Sequence, residues 1–461
     1  MPERIAAVIL AAGAGTRMRS ALPKPLHPLC GRPMIDYVLD ASGISSLAQS
    51  IVVLSPALKA DVQLVHHLEH RVGDNLRTAI QHETLGTGDA LRAAMPLLED
   101  VASVIVLFAD HPLLTKDRVV ELSESLRPAG AVVSVLTCIV DGAAGYGRIE
   151  RDTAGRIERI VERKDDDPGR RIGSVEINSG MMAIDAEWLR SAISRLTPSP
   201  ATGEYYLTQL VEFAVSDGRQ IASVLGDPAE LVGVNDRADL ANAASLLQER
   251  IQLDHMRNGV TLLAPQTTVI EHGVEIGVDT TILPGCFIKS GTVIGSECEV
   301  GPNTVLERAR IGDGSRITAS FVTDSEVMAG SDVGPFSHVR GGTVISAGVH
   351  VGNFAEIKNS TLATGVRMGH VSYVGDASIG ERTNVGAGTI TCNYDGANKH
   401  RTDVGSDVFI GSDTMLVAPV TIGDRAVTGA GAVVTRDVSA DERVAGVPAR
   451  PMPARARENK E

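Results

Sequence analysis

The sequence is poor in aromatic residues, which make up 3% of its 461 residues, and it contains a single tryptophan. Surfaces that hold single-stranded nucleic acid stack bases on aromatic rings, so this scarcity argues against such a surface. Asp and Glu number 57 against 43 Lys and Arg, and the net charge of -14 repels nucleic acid and anionic membranes. We therefore expect neither among the partners.

Cysteines are few, odd in number and never spaced as a CxxC pair: Cys30, Cys138, Cys286, Cys298 and Cys392. This usage argues against a disulfide framework or a zinc site and favours a reducing compartment. No apolar run approaches the roughly 18 residues of a membrane span, and the apolar start of the chain runs into glycines where a signal peptide would have its cleavage site. We expect a soluble, cytoplasmic protein.

What the chain has instead is glycine, 47 residues of it, and a six-residue repeat in its second half. Aliphatic residues recur at every sixth position in three series: Ile270, Ile276, Ile282, Ile288, Ile294, Val300 and Leu306; Val333, Val339, Ile345, Val351 and Ile357; and Val404, Ile410, Leu416 and Ile422. A helix has a period of 3.6 and an alternating strand a period of 2, whereas six fits a short strand and a turn. From about Val269 onward we predict a parallel β-helix, with three such units in each triangular coil.

The repeat is interrupted in places. Its phase slips near Leu362 and Ile379, and it breaks between Ile390 and Val404, where the sequence reads TCNYDGANKHRTD. A regular coil has no place for these polar residues, so we expect them to loop out. Loops that leave a rigid scaffold commonly carry function.

The first half alternates aliphatic runs with helical stretches, which predicts an α/β unit with a parallel sheet. The predicted strands are Ile5–Leu10, Ile51–Leu54, Val104–Phe108 and Ala131–Leu136, and a long helix from Arg237 to His255 is predicted to join the two halves.

In such sheets, ligands lie beyond the carboxyl ends of the strands. A small-residue turn follows the first strand, and Arg17 and Lys24 come soon after it, which suits a phosphate group. Asp110 follows the strand that ends at Phe108, where a carboxylate is well placed for Mg²⁺ beside a triphosphate. The plainer alternatives are an ordinary glycine-rich loop, since the Walker ending is missing, and a turn aspartate before a proline.

Several motifs together carry a resemblance that covers nearly the whole chain. LAAGAGTRM and LPKPLH look like the signature of sugar-phosphate nucleotidyltransferases, and LGTG (85–88), GYGR (145–148), VERK (161–164), EIN (176–178), EYY (204–206) and GVN (233–235) follow in the family order. In the repeat, GAGTITCNYDGANK (386–399) is long and specific. The chain resembles the bacterial bifunctional N-acetylglucosamine-1-phosphate uridyltransferase/glucosamine-1-phosphate acetyltransferase family.

The resemblance implies an α/β nucleotidyltransferase domain with a Rossmann-like parallel sheet (1–232), a linker with a long helical arm (233–258) and a left-handed β-helix (259–461) with a disordered tail after about residue 451. It implies that glucosamine 1-phosphate is acetylated with acetyl-CoA. The N-acetylglucosamine 1-phosphate is then coupled to UTP, which gives UDP-N-acetylglucosamine and pyrophosphate for peptidoglycan and lipopolysaccharide precursors. The family is typically a homotrimer.

For uridyl transfer, the resemblance assigns Asp110 and Asn235 to Mg²⁺ and Arg17 and Lys24 to stabilisation of the phosphates. It assigns Gln81, Gly86 and Thr87 to the uracil and Gly147, Glu162 and Asn178 to the sugar. The implied nucleotide contacts also include Leu10, Ala11, Ala12, Gly13, Phe108 and Ala109.

For acetyl transfer, His370 matches the general base of the family, a role that suits histidine near neutral pH. The plainer alternative is a solvated histidine in a turn. The implied sugar and phosphate contacts are Arg340, Lys358, Tyr373, Asn384 and Lys399, and the implied acetyl-CoA contacts are Ala387, Asn393, Tyr394, Ser412, Ala430 and Arg450. Glu356 has no assigned role.

The chain departs from the family pattern at several positions. Ala14 stands where Lys or Gly is frequent, Ala109 where Gly is usual and Asp89 where His is common, and Arg450 is the candidate for an arginine that touches CoA in relatives. An added methyl group at Ala14 or Ala109 can crowd the sugar or nucleotide, which concerns selectivity more than reaction type.

Three other functions fit parts of the pattern. One is a single-activity sugar-1-phosphate nucleotidyltransferase with a scaffolding β-helix, against which His370 and the 393–399 loop argue. Another is a non-enzymatic assembly subunit, against which Lys24, Asp110 and Asn235 argue. The third is a metal-dependent hydratase that uses His338, His350 and His370, whose spacing does not suit a shared metal.

Overall fold

The computed structural model describes residues 4–43, 49–72, 76–143 and 145–452. The chain forms two compact units, Met1–Leu247 and Gln248–Glu461, each with its own hydrophobic core. The expected domain limits at residues 232 and 259 stay predictions, and the expected disorder beyond about residue 451 concerns residues 453–461, which lie outside the described part.

The first unit is built from nine longer strands and the helices between them. The strands are β1 (Ile5–Leu10), β2 (Gln49–Leu54), β3 (Leu76–Ile80), β4 (Ser103–Phe108), β5 (Ala131–Asp141), β6 (Arg148–Arg151), β7 (Ile157–Val161), β8 (Ser174–Asp185) and β9 (Gln220–Leu225), beside a two-residue pair at Pro28–Leu29 and Arg32–Pro33. The helices are α1 (Met34–Ala41), α2 (Pro56–Lys59), α3 (Val62–Val72), α4 (Thr87–Ala94), α5 (Lys116–Glu124), α6 (Leu126–Ala129), α7 (Ala186–Ala192) and α8 (Gln209–Ser216). A further helix, α9 (Arg237–Arg257), begins in the first unit and ends in the second. Short 3₁₀ turns connect several of them.

The main sheet has the strand order β9-β5-β8-β4-β1-β2-β3. All neighbours pair in parallel except β8, which is antiparallel to both β5 and β4. The hairpin of β6 and β7 extends from β8. The predicted strands are present, and the predicted parallel sheet is confirmed with one antiparallel strand in it. The central strand β1 is aliphatic throughout and buried over Ala6–Leu10, as expected for a strand with both sheet faces covered.

The carboxyl ends of the central strands meet at one edge of the sheet. The backbone N–H of Ala11 donates to the carbonyl of Val53 at 2.9 Å, and that of Ala109 donates to the carbonyl of Leu10 at 3.1 Å. The small-residue turn after β1 and the segment after β4 are therefore neighbours, which brings Asp110 to this edge.

The second unit is a stack of short strands. They are Thr261–Leu262, Val269–Ile270, Glu275–Ile276, Thr281–Ile282, Phe287–Ile288, Val293–Ile294, Glu299–Val300, Val305–Glu307, Arg310–Ile311, Arg316–Ile317, Phe321–Thr323, Glu326–Val327, Asp332–Val333, His338–Arg340, Val344–Ile345, His350–Lys358, Thr361–Leu362, Arg367–Gly375, Ala377–Ile379, Asn384–Val385, Ile390–Cys392, Thr402–Val404, Phe409–Ile410, Met415–Val417, Val420–Ile422, Val427–Thr428, Val433–Val434, Arg443–Ala445 and Arg450–Pro451. Each pairs in parallel with a strand one coil away, as Ile270 does with Ile288, apart from the antiparallel last pair. The predicted parallel β-helix is confirmed.

The aliphatic series line the interior of this stack, where all of them are buried except Ile276, which is half-buried. The coil also continues between Leu306 and Val333, where the six-residue phase is lost. Ile311, Ile317, Val322 and Val327 fill the interior positions there. Some turns in this stretch are one residue shorter, with residues such as Arg308 and Asp324 in the left-handed region at φ 46° and 47°.

The start of the β-helix is held by the last turns of α9. The side chain of Gln248 accepts from the backbone N–H of Ile270 at 2.8 Å, and Gln252 donates to the carbonyl of Thr268 at 2.6 Å. The helix extends two residues beyond its predicted end at His255. Among the described residues, no helix combines the length and the apolar character that crossing a membrane requires.

Candidate active sites

Lys24 and Asp110 form an ion pair at the carboxyl edge of the sheet. The Nζ of Lys24 donates to Oδ2 of Asp110 at 2.7 Å, and Oδ1 of Asp110 bonds with Nδ1 of His111 at 2.9 Å. Gly15, at φ 61°, leaves the space in which Lys24 lies, because a Cβ there would meet the Cβ of Lys24 at 2.8 Å. Burial alone would raise the pKa of Asp110, but the hydrogen bond and charge of His111 and the ammonium of Lys24 lower it well below its ordinary value.

Asn235 and Arg17 are joined at the same edge. The Nη2 of Arg17 donates to Oδ1 of Asn235 at 2.9 Å. The backbone N–H of Val234 donates to the carbonyl of Asp110 at 2.8 Å, which ties the GVN segment to the end of β4. The structure therefore brings the two predicted metal ligands and the two predicted phosphate-binding cations together.

This oxygen-donor pair fits a divalent cation of the hard class. Asp110 supplies a carboxylate and Asn235 an amide oxygen, and Mg²⁺ is commonly held by one or two protein oxygens together with water and substrate phosphates. Each of these oxygens accepts a hydrogen bond from a cationic side chain in the structure, Asp110 from Lys24 and Asn235 from Arg17. In the described part of the chain, no three His, Cys, Asp or Glu side chains converge as a metal site of their own.

The predicted base-reading residues lie beyond β3. Gln81 is almost fully buried, and its Nε2 donates to the carbonyl of Gly86 at 2.9 Å and to Oδ2 of Asp89 at 3.0 Å. Thr87 begins α4, and its hydroxyl accepts from the backbone N–H of Leu207 at 3.1 Å. The three predicted residues thus form one cluster at the start of a helix.

A cavity of about 250 Å³ lies next to this cluster. Of the predicted residues, it is lined by Gly86, Thr87, Phe108, Gly147, Glu162 and Asn178. Burial raises the pKa of Glu162, although its Oε1 accepts from the hydroxyl of Thr208 at 2.8 Å. Its lining combines apolar and aromatic side chains with a few polar groups, as sites for small molecules do.

Several residues of this site have no role in the sequence-based assignment. Tyr146, Tyr206 and Thr208 also line the cavity, and His111 holds Asp110. Tyr146 and Tyr206 belong to the GYGR and EYY motifs, so the motifs already pointed to them. Thr208 carries no motif signal, because only the fold brings it to Glu162.

In the β-helix, His370 is exposed and oriented by a neighbouring coil. Its Nδ1 lies 2.7 Å from Oδ1 of Asn353, which pairs with it directly across two strands. An amide oxygen only accepts, so Nδ1 carries the hydrogen and the neutral ring keeps its lone pair on Nε2. That is the form that a general base requires.

Three cationic side chains converge on adjoining coils. Arg340 pairs in register with Lys358, and the ammonium group of Lys399 lies close to that of Lys358. The Lys399 ammonium lowers the pKa of Lys358, because two nearby positive charges repel each other. Glu356 forms an ion pair with Arg340 at 2.6 Å, which gives it a contact in this cluster. An accumulation of positive charge of this kind is suited to a phosphate group.

The segment that breaks the repeat is a small hairpin that leaves the coil, as predicted. Tyr394 and Lys399 form its antiparallel bridge, and Asp395 accepts from the backbone of Ala397 and Asn398 at 2.8 and 2.7 Å. These backbone bonds and His400 lower the pKa of Asp395.

The base of this hairpin connects to the neighbouring coil. Asn393 donates to Tyr373 at 3.4 Å and to Asp376 at 2.6 Å. Gly375 leaves room for the Tyr373 ring, since a Cβ there would lie 2.3 Å from the hydroxyl. The predicted residues of the hairpin therefore adjoin the cationic cluster.

Three of the predicted acetyl-CoA contacts form a column. Ala387, Ser412 and Ala430 each follow a glycine at the same corner of successive coils, where the glycines pack on the next coil with no space for a Cβ. Arg450 pairs with Ala445, which packs against Gly429, so it lies near the end of this column. Asn384 lies on a neighbouring strand and pairs with Arg367 and Phe409.

The histidines of the hydratase alternative have separate partners. His350 bonds to Asp332 at 2.6 Å, His338 packs edge-on against Phe321, and His370 bonds to Asn353. Nothing in the described residues supports a shared metal among them.

Comparison with known proteins agrees with both units. Residues 7–163 match the MobA-like NTP transferase domain, and residues 401–436 match the bacterial transferase hexapeptide (six repeats). The Bifunctional protein GlmU of Pelobacter propionicus is 45% identical over 441 residues, which is 95% of each chain. That of Mycobacterium tuberculosis is 44% identical over 440 residues, 95% of this chain and 89% of the relative, and that of Brevibacillus brevis is 40% identical over 438 residues, 95% and 93%.

These matches confirm the nucleotidyltransferase domain followed by a left-handed β-helix of hexapeptide repeats, and they leave the single-activity and non-enzymatic alternatives without support. Since relatives of 40 to 45% identity cover about 95% of its length, the chain belongs to the GlmU family, the bifunctional transferases that acetylate glucosamine 1-phosphate and join N-acetylglucosamine 1-phosphate to UTP.

Proposed function

We propose that each unit carries one of the two reactions of the family, with the residues assigned from the sequence as its site. The β-helix acetylates glucosamine 1-phosphate with acetyl-CoA. The first unit transfers UMP from UTP to N-acetylglucosamine 1-phosphate and releases pyrophosphate.

In uridyl transfer, the sugar phosphate attacks the α-phosphorus of UTP, and the main requirement is to neutralise negative charge. Asp110 and Asn235 would hold Mg²⁺, which when bound supplies positive charge to the reacting phosphates. Lys24 and Arg17, now paired with these two side chains, turn to the phosphates. The cavity beside Glu162 and Asn178 holds the sugar.

In acetyl transfer, the cluster of Arg340, Lys358 and Lys399 binds the sugar phosphate. Nε2 of His370 takes a proton from the amine as nitrogen attacks the thioester carbonyl. The C–N bond forms, the C–S bond breaks, and CoA leaves as the thiol after it takes up a proton. The observation that carries this assignment is the 2.7 Å contact from Asn353 to Nδ1 of His370, which leaves Nε2 free to accept.

The assignment of one reaction to each unit is tested by supplying the substrates of each half-reaction separately. With acetyl-CoA and glucosamine 1-phosphate, His370→Ala should abolish CoA release. His350→Ala, an exposed histidine bonded to Asp332 in the same β-helix, is the matched control and should not. With UTP, Mg²⁺ and N-acetylglucosamine 1-phosphate, Asp110→Ala should abolish pyrophosphate release and spare CoA release. CoA release at the wild-type rate in His370→Ala, or loss of both reactions in Asp110→Ala, would show the assignment to be wrong.

We also propose that the protein is a homotrimer. Large apolar side chains are exposed on the β-helix, among them Phe336, Phe354 and Val371, and the rings of Phe336 and Phe354 stack at 5.4 Å. Exposed apolar patches of this kind commonly mark interfaces. Phe354→Glu should lower the mass measured by light scattering from three chains toward one, and an unchanged mass would contradict this interface. The intracellular substrates and the absence of disulfide bonds among the described cysteines support a cytoplasmic location.

A further inference from the structure

The Gln81 side chain has a fixed orientation in this chain. Its Nε2 donates to the Gly86 carbonyl at 2.9 Å and to Oδ2 of Asp89 at 3.0 Å. Carbonyl and carboxylate oxygens only accept, so a reversed amide would place oxygen against oxygen at both contacts. The Oε1 atom is thereby directed away from them, and it has no hydrogen-bond partner among the described residues.

Both acceptors are themselves held in place. Gly86 has φ 99°, and a Cβ there would lie 2.7 Å from the carbonyl oxygen of Tyr205. The backbone N–H of Tyr205 donates to Leu85 at 2.7 Å, and that of Gly88 donates to Tyr205 at 2.8 Å. Asp89 lies in the first turn of α4, where a negative charge is favoured by the helix N-terminus.

Burial strengthens the preference of the Gln81 amide for this orientation. Only 4% of Gln81 is exposed, so water is a poor substitute for a lost partner. A buried donor or acceptor without a partner destabilises the fold. A hydrogen bond to a charged group also contributes more than one between neutral groups. The histidine common at position 89 in the family can donate as well as accept, whereas Asp89 as a carboxylate only accepts.

We propose that Asp89 is a positioning residue that determines base selectivity by holding Gln81 with Oε1 toward the nucleotide base. The proposal rests on the proposed role of Gln81 in uracil recognition and deepens it. Uracil carries a hydrogen on N3, which donates to Oε1. Cytosine has a bare N3 lone pair, which opposes Oε1, so the fixed amide selects UTP over CTP.

The test is Asp89→Asn, which keeps the size of the side chain but adds a donor. Its amide can donate to Oε1 of Gln81, so the reversed orientation then places oxygen against oxygen at one contact, the Gly86 carbonyl, instead of at two. Pyrophosphate release is measured with N-acetylglucosamine 1-phosphate and either UTP or CTP. We expect the ratio of kcat/KM for UTP over CTP to fall about tenfold, through a higher KM for UTP at unchanged kcat, because one charge-assisted hydrogen bond no longer favours one orientation.

Asp117→Asn is the matched control. Asp117 lies in the first turn of α5, so its replacement removes the same helix-end charge without any contact to Gln81. Its UTP to CTP ratio should equal that of the wild type. Asp89→Glu keeps an acceptor-only group and should retain the ratio within about twofold, since the preference comes from acceptance alone.

Three results overturn the proposal: a wild-type ratio in Asp89→Asn, an equal loss of kcat with both nucleotides, or an equal loss of selectivity in Asp89→Glu. Melting temperatures show whether each variant is folded, and Asp89→Ser, with the same expectation, replaces Asp89→Asn if that variant is not. A wild-type enzyme that releases no pyrophosphate from UTP would instead contradict the proposed function.

Discussion

Replacing Lys24 by methionine would remove the ammonium that neutralises Asp110 while it keeps a side chain of similar length. The two groups are 2.7 Å apart, and 14% of the Lys24 side chain and 25% of that of Asp110 are exposed. The variant would leave the carboxylate with His111 as its remaining partner at 2.9 Å.

These contacts set the size of the loss in the free energy of unfolding. Breaking a fully buried pair costs about 3–5 kcal/mol, whereas a hydrogen bond to a charged group contributes about 1.5–3 kcal/mol. Because a quarter of Asp110 remains exposed and His111 remains bonded, we expect a loss of about 2 kcal/mol at pH 7. In a unit the size of Met1–Leu247, this corresponds to a melting temperature lower by about 4–8 °C.

The loss should also depend on pH. The pKa of Asp110 is held below its ordinary value, against the effect of burial, by His111 and Lys24. A carboxyl group of this kind stabilises the fold above its unfolded-state pKa of about 4, and the stabilisation is lost as the pH falls. Without Lys24 the pKa of Asp110 should rise, so the difference between wild type and variant should be largest near pH 7 and shrink below about pH 4.

Urea unfolding at pH 7 and at about pH 3.5 measures both effects. Lys59→Met is the matched control, because Nζ of Lys59 donates to the hydroxyl of Thr78 at 3.0 Å, and threonine does not titrate. Its loss of stability should be the same at both pH values. A loss in Lys24→Met that is equally independent of pH, or a variant as stable as the wild type, would refute the reasoning.

Two further outcomes follow from the sites. Burial raises the pKa of Glu162, so its charged form destabilises the fold as the pH rises above the unfolded-state value of about 4.3. Glu162→Gln should therefore raise the melting temperature at pH 7 but not at pH 4, while it raises the KM for the sugar phosphate; a higher melting temperature at both would contradict this. Asn353→Ala removes the acceptor that orients His370 and should lower the kcat for CoA release about tenfold or more, at an unchanged rate of pyrophosphate release.

Much of the candidate site could be predicted from the motifs, because they contain residue types with a specific chemistry. The metal and phosphate groups were assigned this way, and the structure brings Arg17, Lys24, Asp110 and Asn235 to one edge of the sheet. The roles of the individual residues stay predictions. The orientations of the side chains could not be predicted from the sequence. The hydrogen bond between Gln81 and Asp89, for example, depends on how a loop packs against a helix.

The sequence by itself determined the β-helix, because a period of six requires every aliphatic residue to face one interior and is visible without knowledge of distant contacts. It also determined where the coil must open, since the polar residues after Cys392 have no place inside it.

Only the tertiary structure decided the rest. The coil continues from Leu306 to Val333 although the period is lost, because turns shortened at left-handed residues keep the interior filled. Asn353 reaches His370 through the register of adjoining coils, and Arg17 reaches Asn235 across more than two hundred residues of chain. Such pairs depend on where strands end and stack in space, and local residue preferences do not encode that.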